Sequence, residues 1–568
     1  FRQTTFGLPV LAFFFASLAS LLFASSNKIE ALLNPLGVGS IITLTVLYFI
    51  VTHALSKKSI SWTAPAFVLS GSLLSLFTVI HYTGALNPFI SIEFIKNPAF
   101  SPTGSLLTTV LYLIVILPFL VQLAQHAFKS KNPVGQILYG LAVVIIIGGI
   151  GVSGYQLATS AKPQLMPIGA AWTVTSEALK NKPLFGVGAE NYLTAFTIGR
   201  PAVLNISPVW NIRFITSSNI YFHILTTLGL FGFGALLFWT IKTGLTMKKS
   251  GMIHTPTLLV QTLTFVVLLV FPPSLVLLFV LYVSAALFDA TLENHTTISL
   301  PKNTYLYGLL LGIPLILCAV SFYFTGRAYA ASVQFKKSFD ALSQNDGVSV
   351  YNRQIQAIQL NPYFSPFHIG YAQTNLALAN ALSQKKDITD AEREQITQLI
   401  QQSIREARNG VILNRSSIVA WENLATIYRS LINFAEGSDQ WAVAGFQQAV
   451  ALDPTNPVLR ISLGNTYYTI GNFDESIRQF EIATHLKPDY ANSWYNLAIS
   501  YSDNKQYEKA KAAMQKVLGI VPADSNDYKT AEKQLQEIEQ LVAKTAPAEP
   551  KGQPETLTQP EPKQQQIT

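Results

Sequence analysis

Residues 457–490, PVLRISLGNTYYTIGNFDESIRQFEIATHLKPDY, fall into register with residues 491–524, ANSWYNLAISYSDNKQYEKAKAAMQKVLGIVPAD, at a period of 34 residues. In the first line Leu463, Gly464, Tyr467, Phe480, Ala483 and Pro488 mark small, large and terminating positions; in the second Trp494, Leu497, Ala498, Tyr501, Ala510 and Pro522 do the same. Small residues at fixed spacing let two helices approach closely, and a proline just past the second helix cannot continue it. Two adjacent lines in one frame predict stacked helix pairs rather than an isolated hairpin.

This pattern resembles the tetratricopeptide repeat (TPR) family, which implies an α-solenoid whose concave surface receives a protein partner. Upstream, Trp421, Leu424, Ala425, Tyr428, Ala442, Phe446, Ala449 and Pro454 fit the frame with about five residues added in the turn. A degenerate unit covers 365–417, with Tyr371 and Ala372 in its first helix and a charged insertion near 383–396; Ala357 and Pro362 mark the end of a still earlier helix. A polar helix near 527–544 is expected to cap the stack, so the solenoid is predicted over 328–544. The tail 545–568, rich in Pro, Gln and Glu with few apolar residues, is expected to be disordered.

The rest of the chain has a different composition. Residues 1–327 carry 17 Lys/Arg against 6 Asp/Glu, and residues 328–568 carry 22 against 25. With 49% hydrophobic and 12% charged residues overall, the first part reads as a membrane domain. Apolar runs at 6–25, 35–55, 62–82, 104–124, 135–153, 218–241, 256–271, 273–289 and 304–325 give about nine spans. Pro272 and Pro273 separate two short runs; a tight helical hairpin spares backbone hydrogen bonds in lipid, and one long kinked helix is the alternative. The chain begins at Phe1 rather than Met, so further upstream residues are expected, and no cleavable signal peptide is expected in the first apolar run. The one cysteine, Cys318, lies in an apolar run and excludes an intrachain disulfide and multi-cysteine zinc sites.

Lys57 and Lys58, then Lys129 and Lys131, then Lys242, Lys248 and Lys249 fall in every second short connection, which predicts those connections to be cytoplasmic. The 83–103 and 154–217 segments then face out, and the hairpin reading exports everything after residue 325, repeats included. The 290–303 connection, with Glu293 and Lys302, does not report a side. The basic balance does not imply nucleic acid, because the cations lie in membrane connections rather than along a soluble face.

The outward 154–217 segment supplies Lys162, Glu177, Lys180, Lys182, Glu190, Arg200 and Arg213. Cations in excess on that face suit an anionic ligand, and the arginine fork can donate two parallel hydrogen bonds to phosphate oxygens. Solvated loop charge is the plainer reading. The segment also contains Pro183-Leu184-Phe185-Gly186-Val187-Gly188, and is followed by ITSSNIYFHILTTLGLFG, residues 215–232. Ser217, Ser218 and Asn219 suit a helix N-cap, and a capped N-terminus also attracts phosphate. His223 lies one turn after Asn219, on the same helical face. It is a candidate proton acceptor, or a histidine hydrogen-bonded between spans.

The order and spacing of these elements over about 135–290 resemble the O-antigen ligase and polymerase family. The resemblance implies a GT-C-like, all-α, multi-pass glycosyltransferase in the cytoplasmic (inner) membrane. Such an enzyme works without a metal or other cofactor and transfers a glycan from undecaprenyl diphosphate to the hydroxyl of an acceptor lipid, glycan or protein on the outer face. It implies Arg213, Arg200 and Lys182 as diphosphate-binding residues and His223, Asn219 and Ser218 as catalytic residues. This chain departs from the family pattern at two chemical positions, with Ser218 where the family has histidine and Thr227 where it has glutamate. The alternative function is a non-catalytic, membrane-anchored TPR scaffold for cell-envelope assembly.

Overall fold

The computed structural model describes residues 4–55, 57–90, 92–250, 255–292 and 304–545. Every regular element among them is helical. The chain forms two compact units, residues 1–459 and 460–568. The expected disordered tail falls on 546–568, and the Glu293–Lys302 connection on 293–303; both lie outside the described residues, as does the side chain of Cys318.

In the first unit come α1 (Gly7–Phe23), α2 (Lys28–Leu33), α3 (Val38–Ala54), α4 (Lys57–Ile60), α5 (Thr63–Tyr82), α6 (Leu106–Lys129) and α7 (Pro133–Thr159), of which α2 and α4 are short helices between the expected apolar runs and the others overlap those runs. Next come α8 (Ile168–Asn181) and α9 (Tyr192–Gly199) in the long connection, then α10 (Ile220–Thr227), α11 (Gly229–Ser250), α12 (Pro256–Val270) and α13 (Leu275–Thr291). Five helical segments of 20 to 27 residues are long and apolar enough to cross a membrane, with α2 and α3 taken together; α1, α12 and α13 are apolar but shorter.

Pro272 and Pro273 do separate two helices. Trp239 of α11 packs edge-on against both Phe265 of α12 and Tyr282 of α13, at 6.1 and 4.9 Å between ring centroids. Two residues on opposite sides of the proline pair can meet one indole only if the chain doubles back, so the hairpin forms rather than a single kinked helix. Ser274 caps α13 by accepting from the Leu277 amide. The predicted span over 218–241 is instead two helices, broken at Leu228 and Gly229.

The expected junction at 327 lies inside one helix, α14 (Thr304–Ser343, 40 residues). Its last turns pair with α15 (Gly347–Leu360): Arg353 donates to Gln334 at 2.8 Å and Gln354 to Ser338. The apolar helix therefore runs on to become the first helix of the first repeat pair, and no linker is needed. The pairs continue with α16 (Ser365–Ser383) and α17 (Asp390–Leu413), then α18 (Ile418–Ser430) and α19 (Ser438–Leu452). The charged insertion near 383–396 is helical from Asp390, started by a reciprocal capping box between Thr389 and Glu392. The added turn residues lie between Leu431 and Gly437, and the pair closes where a side chain on Gly445 would meet Ala425 at 2.8 Å.

The repeats of this unit contact three connections of the apolar bundle. Lys336 sits 4.0 Å over the Phe94 ring in the 83–103 connection. Asn414 donates to Glu30 at 2.7 Å, and Ser416 to Ser26 at 2.8 Å, in the connection before α3. The third contact is with the long connection carrying Arg200 and Arg213. All three are connections without the lysine clusters, so repeats and lysine turns occupy opposite ends of the bundle.

The second unit contains α20 (Pro457–Thr469) from Arg460 on, α21 (Phe473–Leu486), α22 (Ala491–Asp503), α23 (Tyr507–Ile520) and α24 (Asn526–Thr545). The frame works as its spacing predicts. A side chain on Gly464 would meet the Phe480 ring at 2.6 Å, and Ala483, Ala498 and Ala510 are fully buried. Ala531 and Ile538 of α24 close this core.

Candidate functional site

The helix start at 217–223 is built by local hydrogen bonding. Asn219 is the N-cap of α10, its side-chain oxygen accepting from the Phe222 amide at 2.9 Å. Ser217, Ser218, Asn219 and His223 are all buried. The Asn219 amide donates to the Ser218 hydroxyl at 3.4 Å. Asn219 itself is in extended backbone, one turn before His223, whose amide donates to the Asn219 carbonyl at 3.1 Å.

Eight residues on, α10 stops. Leu228 ends it and Gly229 takes φ +66, which frees the carbonyls of Thr226 and Thr227. The Pro183–Gly188 turn fills this break. Val187 and Gly188 amides donate to Thr226 and Thr227 carbonyls at 3.0 and 3.1 Å, and Leu230 and Phe231 amides donate back to Pro183 and Leu184 carbonyls at 2.9 and 3.2 Å. The Ser20 hydroxyl adds bonds to the Phe185 and Thr227 carbonyls. A non-helical backbone within an apolar bundle is tolerated only when its polar groups are paired in this way. Gly186 and Gly229 are required here: a Cβ on either would stand 2.5 Å from backbone of the other strand of the splice. The Pro183–Gly188 turn thus approaches another part of the chain's own backbone.

His223 lies beside the splice. Its Nε2 is 3.7 Å from Glu190 Oε1, and its ring stacks on Tyr192 at 5.4 Å. Glu190 has φ +59, and burial pushes the Tyr192 hydroxyl well above its ordinary range, against a lowering contribution from Ser217. His223, Glu190 and Thr227 line a cavity of about 20 Å³ with Ile220, Leu228 and Pro273. That volume admits about one water. Thr227 donates its hydroxyl to the His223 carbonyl at 2.7 Å.

The arginines are elsewhere and are occupied. Arg200, 3% exposed, donates to Asn205 and to the Trp210 carbonyl. Its Nη1 is 4.0 Å from Asp453 Oδ2, and Arg213 Nε is 3.9 Å from the same oxygen. Arg213 also donates to Glu422 at 2.8 Å. Thr455 donates to the Arg200 carbonyl at 3.0 Å and accepts from Asn205 at 2.8 Å. Burial pulls the Arg200 guanidinium below its usual range, while the Asp453 charge props it up and Arg213 lowers it further. Burial likewise lifts the Asp453 carboxyl, opposed by the hydrogen bond from Asn456 and by both arginines. Two guanidinium groups and two carboxylates thus form a charge-balanced cluster, with the carboxylates supplied by the repeats. The third candidate, Lys182, is exposed at the C-cap of α8.

The structure therefore brings together Ser218, Asn219 and His223, and separately Arg200 and Arg213. Among the described residues no ion pair or hydrogen bond joins the two groups, and no group of three His, Cys, Asp or Glu side chains converges on a point. Sequence reasoning did not single out Asp453, Glu422 or Asp289. Asp289 is fully buried and accepts from the Thr5 and Phe6 amides at 2.7 and 2.9 Å and from the Tyr48 hydroxyl, so it anchors the residues that lead into α1. A lone aspartate near the end of an apolar run was the available signal.

Comparison with known proteins bears on the repeats. Family models described as TPR repeat and tetratricopeptide repeat match residues 464–505 and 491–524. Superkiller complex protein 3 of Mus musculus is 30% identical over 122 residues, which are 22% of this chain and 8% of that protein. A heat-shock protein cognate co-chaperone, sgt12, of Aspergillus fumigatus is 28% identical over 75 residues, 13% of this chain and 22% of that protein. The chain thus spans less than a quarter of the length of these curated relatives. The crystal structure of MamA aligns at 16% identity and TM-score 0.27, over 39% of this chain and 97% of MamA. The C-terminal region of this chain carries tetratricopeptide repeats.

Proposed function

We propose that this chain is a membrane-anchored TPR scaffold that presents its repeats to protein partners at one face of the membrane. The observation that carries this reading is the neutralised arginine cluster. Arg200 and Arg213, the best candidates for an anionic donor, are paired with Asp453 and Glu422 and hold the repeats against the apolar bundle. The repeats belong to an architecture that binds proteins and carries no chemistry of its own. By the lysine distribution, the repeats face the outer side of the cytoplasmic membrane. In cells, photo-reactive side chains on the exposed surface of α22 and α23 in the full chain test the scaffold. Discrete protein adducts are expected, and the absence of any adduct above that of positions on α24 would sink the reading. Protease accessible only from the cytoplasmic side would reverse the topology.

A second reading, glycan transfer from undecaprenyl diphosphate to an acceptor hydroxyl, is supported by one specific observation. The broken helix presents His223, and the turn before α9 presents Glu190, to a small buried cavity, and interrupted helices with buried ionisable groups are where membrane proteins bind and transform substrates. In this reading His223 accepts the hydroxyl proton, Asn219 and Ser218 fix the helix start, and Arg213, Arg200 and Lys182 meet the diphosphate. A diphosphate at the arginines must displace Asp453 and Glu422. Cell-surface glycan measured in His223→Gln and in Arg200→Gln/Arg213→Gln variants decides it: loss in both supports transfer, and unchanged glycan removes it.

A further inference from the structure

The opposite end of the bundle carries a groove that neither the repeats nor the broken helix uses. It has a volume of about 540 Å³ and runs between α6 and α7. Leu120, Ala124 and Phe128 form one wall and Val143, Ile147 and Ile150 the other; Gln125 and Lys129 are its polar lining residues. Pro118 lies within α6 near the end of the groove away from the lysines, where the missing amide and the ring disturb regular helix packing. At the other end Lys129 and Lys131 are exposed in the turn between the helices.

Resting on the membrane reading above, we infer that this groove binds one acyl chain of an anionic phospholipid, with its headgroup phosphate paired to Lys129 and Lys131. Three observations carry it. From Leu117 to Lys129 the groove follows α6 for roughly 18 Å, close to the depth of one leaflet in a hydrocarbon core of about 30 Å. Both walls of the groove are apolar, and its polar lining residues, Gln125 and Lys129, stand together at the lysine end, the distribution an acyl chain with a charged headgroup requires. The lysines stand at the mouth, on the end of the bundle that the positive-inside pattern assigns to the cytoplasmic leaflet, where basic sites between helices select anionic headgroups. Phe128 and Ile147, both more than half exposed, leave the groove open along its side, so a lipid enters laterally.

The full-length protein in nanodiscs tests this with diazirine-acyl phosphatidylglycerol or phosphatidylcholine at equal mole fraction, with adducts mapped by peptide mass spectrometry. Phosphatidylglycerol is expected to label residues 117–150 several-fold more than phosphatidylcholine. Lys129→Gln with Lys131→Gln should bring the two lipids level, and Ala124→Trp, which fills the groove, should suppress both. Melting and elution of each variant are read alongside, and Lys129→Gln, at an exposed position, preserves the fold. Equal labelling by both lipids in the unaltered protein, no effect of Ala124→Trp, or cross-links from the groove to a second copy of the chain would each overturn the inference. Labelling of exposed α12 positions such as Val266 and Leu269 without labelling of the groove defeats this inference alone. No labelling of any helix defeats the membrane reading with it.

Discussion

The long connection between α7 and α10 buries polar groups twice, by opposite means. At the start of α10 the Asn219 side chain is uncharged, and its oxygen accepts from the Phe222 amide three residues on. Around Arg200 and Arg213 the groups are charged, and the partners Glu422 and Asp453 lie 209 and 253 residues away from Arg213 and Arg200. The first arrangement shapes one helix; the second fastens one part of the protein to another. Buried ion pairs are poor sources of net stability, because desolvation offsets their attraction, but removing one member leaves a bare buried charge. The arginine cluster therefore fixes where the first repeats sit, and the helix start fixes how the bundle is broken.

The largest effect that separates the two is expected from Asp453→Ala. It leaves Arg200 buried without its counter-charge and should cost about 3–5 kcal/mol, read as a lowered unfolding temperature in detergent. Asp453→Asn should cost less and should change the pH dependence. The folded protein binds the Asp453 proton more tightly than the unfolded chain does, because burial raises its pKa. That group accordingly favours folding below the ordinary aspartate value of about 3.9, and its contribution is lost as pH rises through the higher native value. Replacing it with asparagine should flatten this part of the stability profile, and an unchanged slope would show that the carboxylate is not the titrating group.

Gly229→Ala probes the other site. The substitution puts a Cβ 2.5 Å from the Gly186 amide and Leu184 carbonyl at a positive φ, and should cost roughly 2–3 kcal/mol. It should leave the contacts of Arg213 intact, which an Arg213→Gln/Glu422→Gln double-mutant cycle repeated in the Gly229→Ala background reports. Loss of that coupling would mean that the splice and the clasp are one cooperative element rather than two.

How much of this was legible beforehand follows from the range of the interactions. The repeat frame, the N-cap at Asn219 and the hairpin at Pro272-Pro273 depend on neighbours within a turn or a period, and the sequence displays those spacings directly. Gly186 and Gly188 were visible as a turn, but the break at Gly229 was hidden in an apolar run that reads as one span over 218–241. The insertion of the turn into that break was not visible either, since nothing in either stretch names its partner. Arg200 and Arg213 were recognisable as too many cations for an outward segment, but an anionic ligand and a carboxylate of the same chain leave the same signature. Asp453 looks like an ordinary residue before the frame proline, and only the folded repeats bring it to the arginines. The continuous α14 was hidden for a related reason: apolar span and amphipathic repeat helix have different compositions, and that shift imitates a domain boundary at 327.

Smaller effects test the helix start and the exposed part of the clasp. Asn219→Ala removes the side-chain acceptor for the Phe222 amide and should cost about 1 kcal/mol, recovered largely by Asn219→Ser or Asn219→Asp, which also cap. Failure of serine to rescue would indicate a role for Asn219 beyond capping. The Arg213–Glu422 pair should contribute least. Its side chains are 25% and 30% exposed, so solvent screens the attraction despite the 2.8 Å contact. A double-mutant cycle with Arg213→Gln and Glu422→Gln should give a coupling of about 0.5–1 kcal/mol that shrinks with added salt. The fully buried Asp453, neighbour to the same arginine, should show coupling that salt barely changes. Equal salt dependence of the two would mean that water reaches Asp453, and the contrast between a fastened interior and a screened rim would not stand.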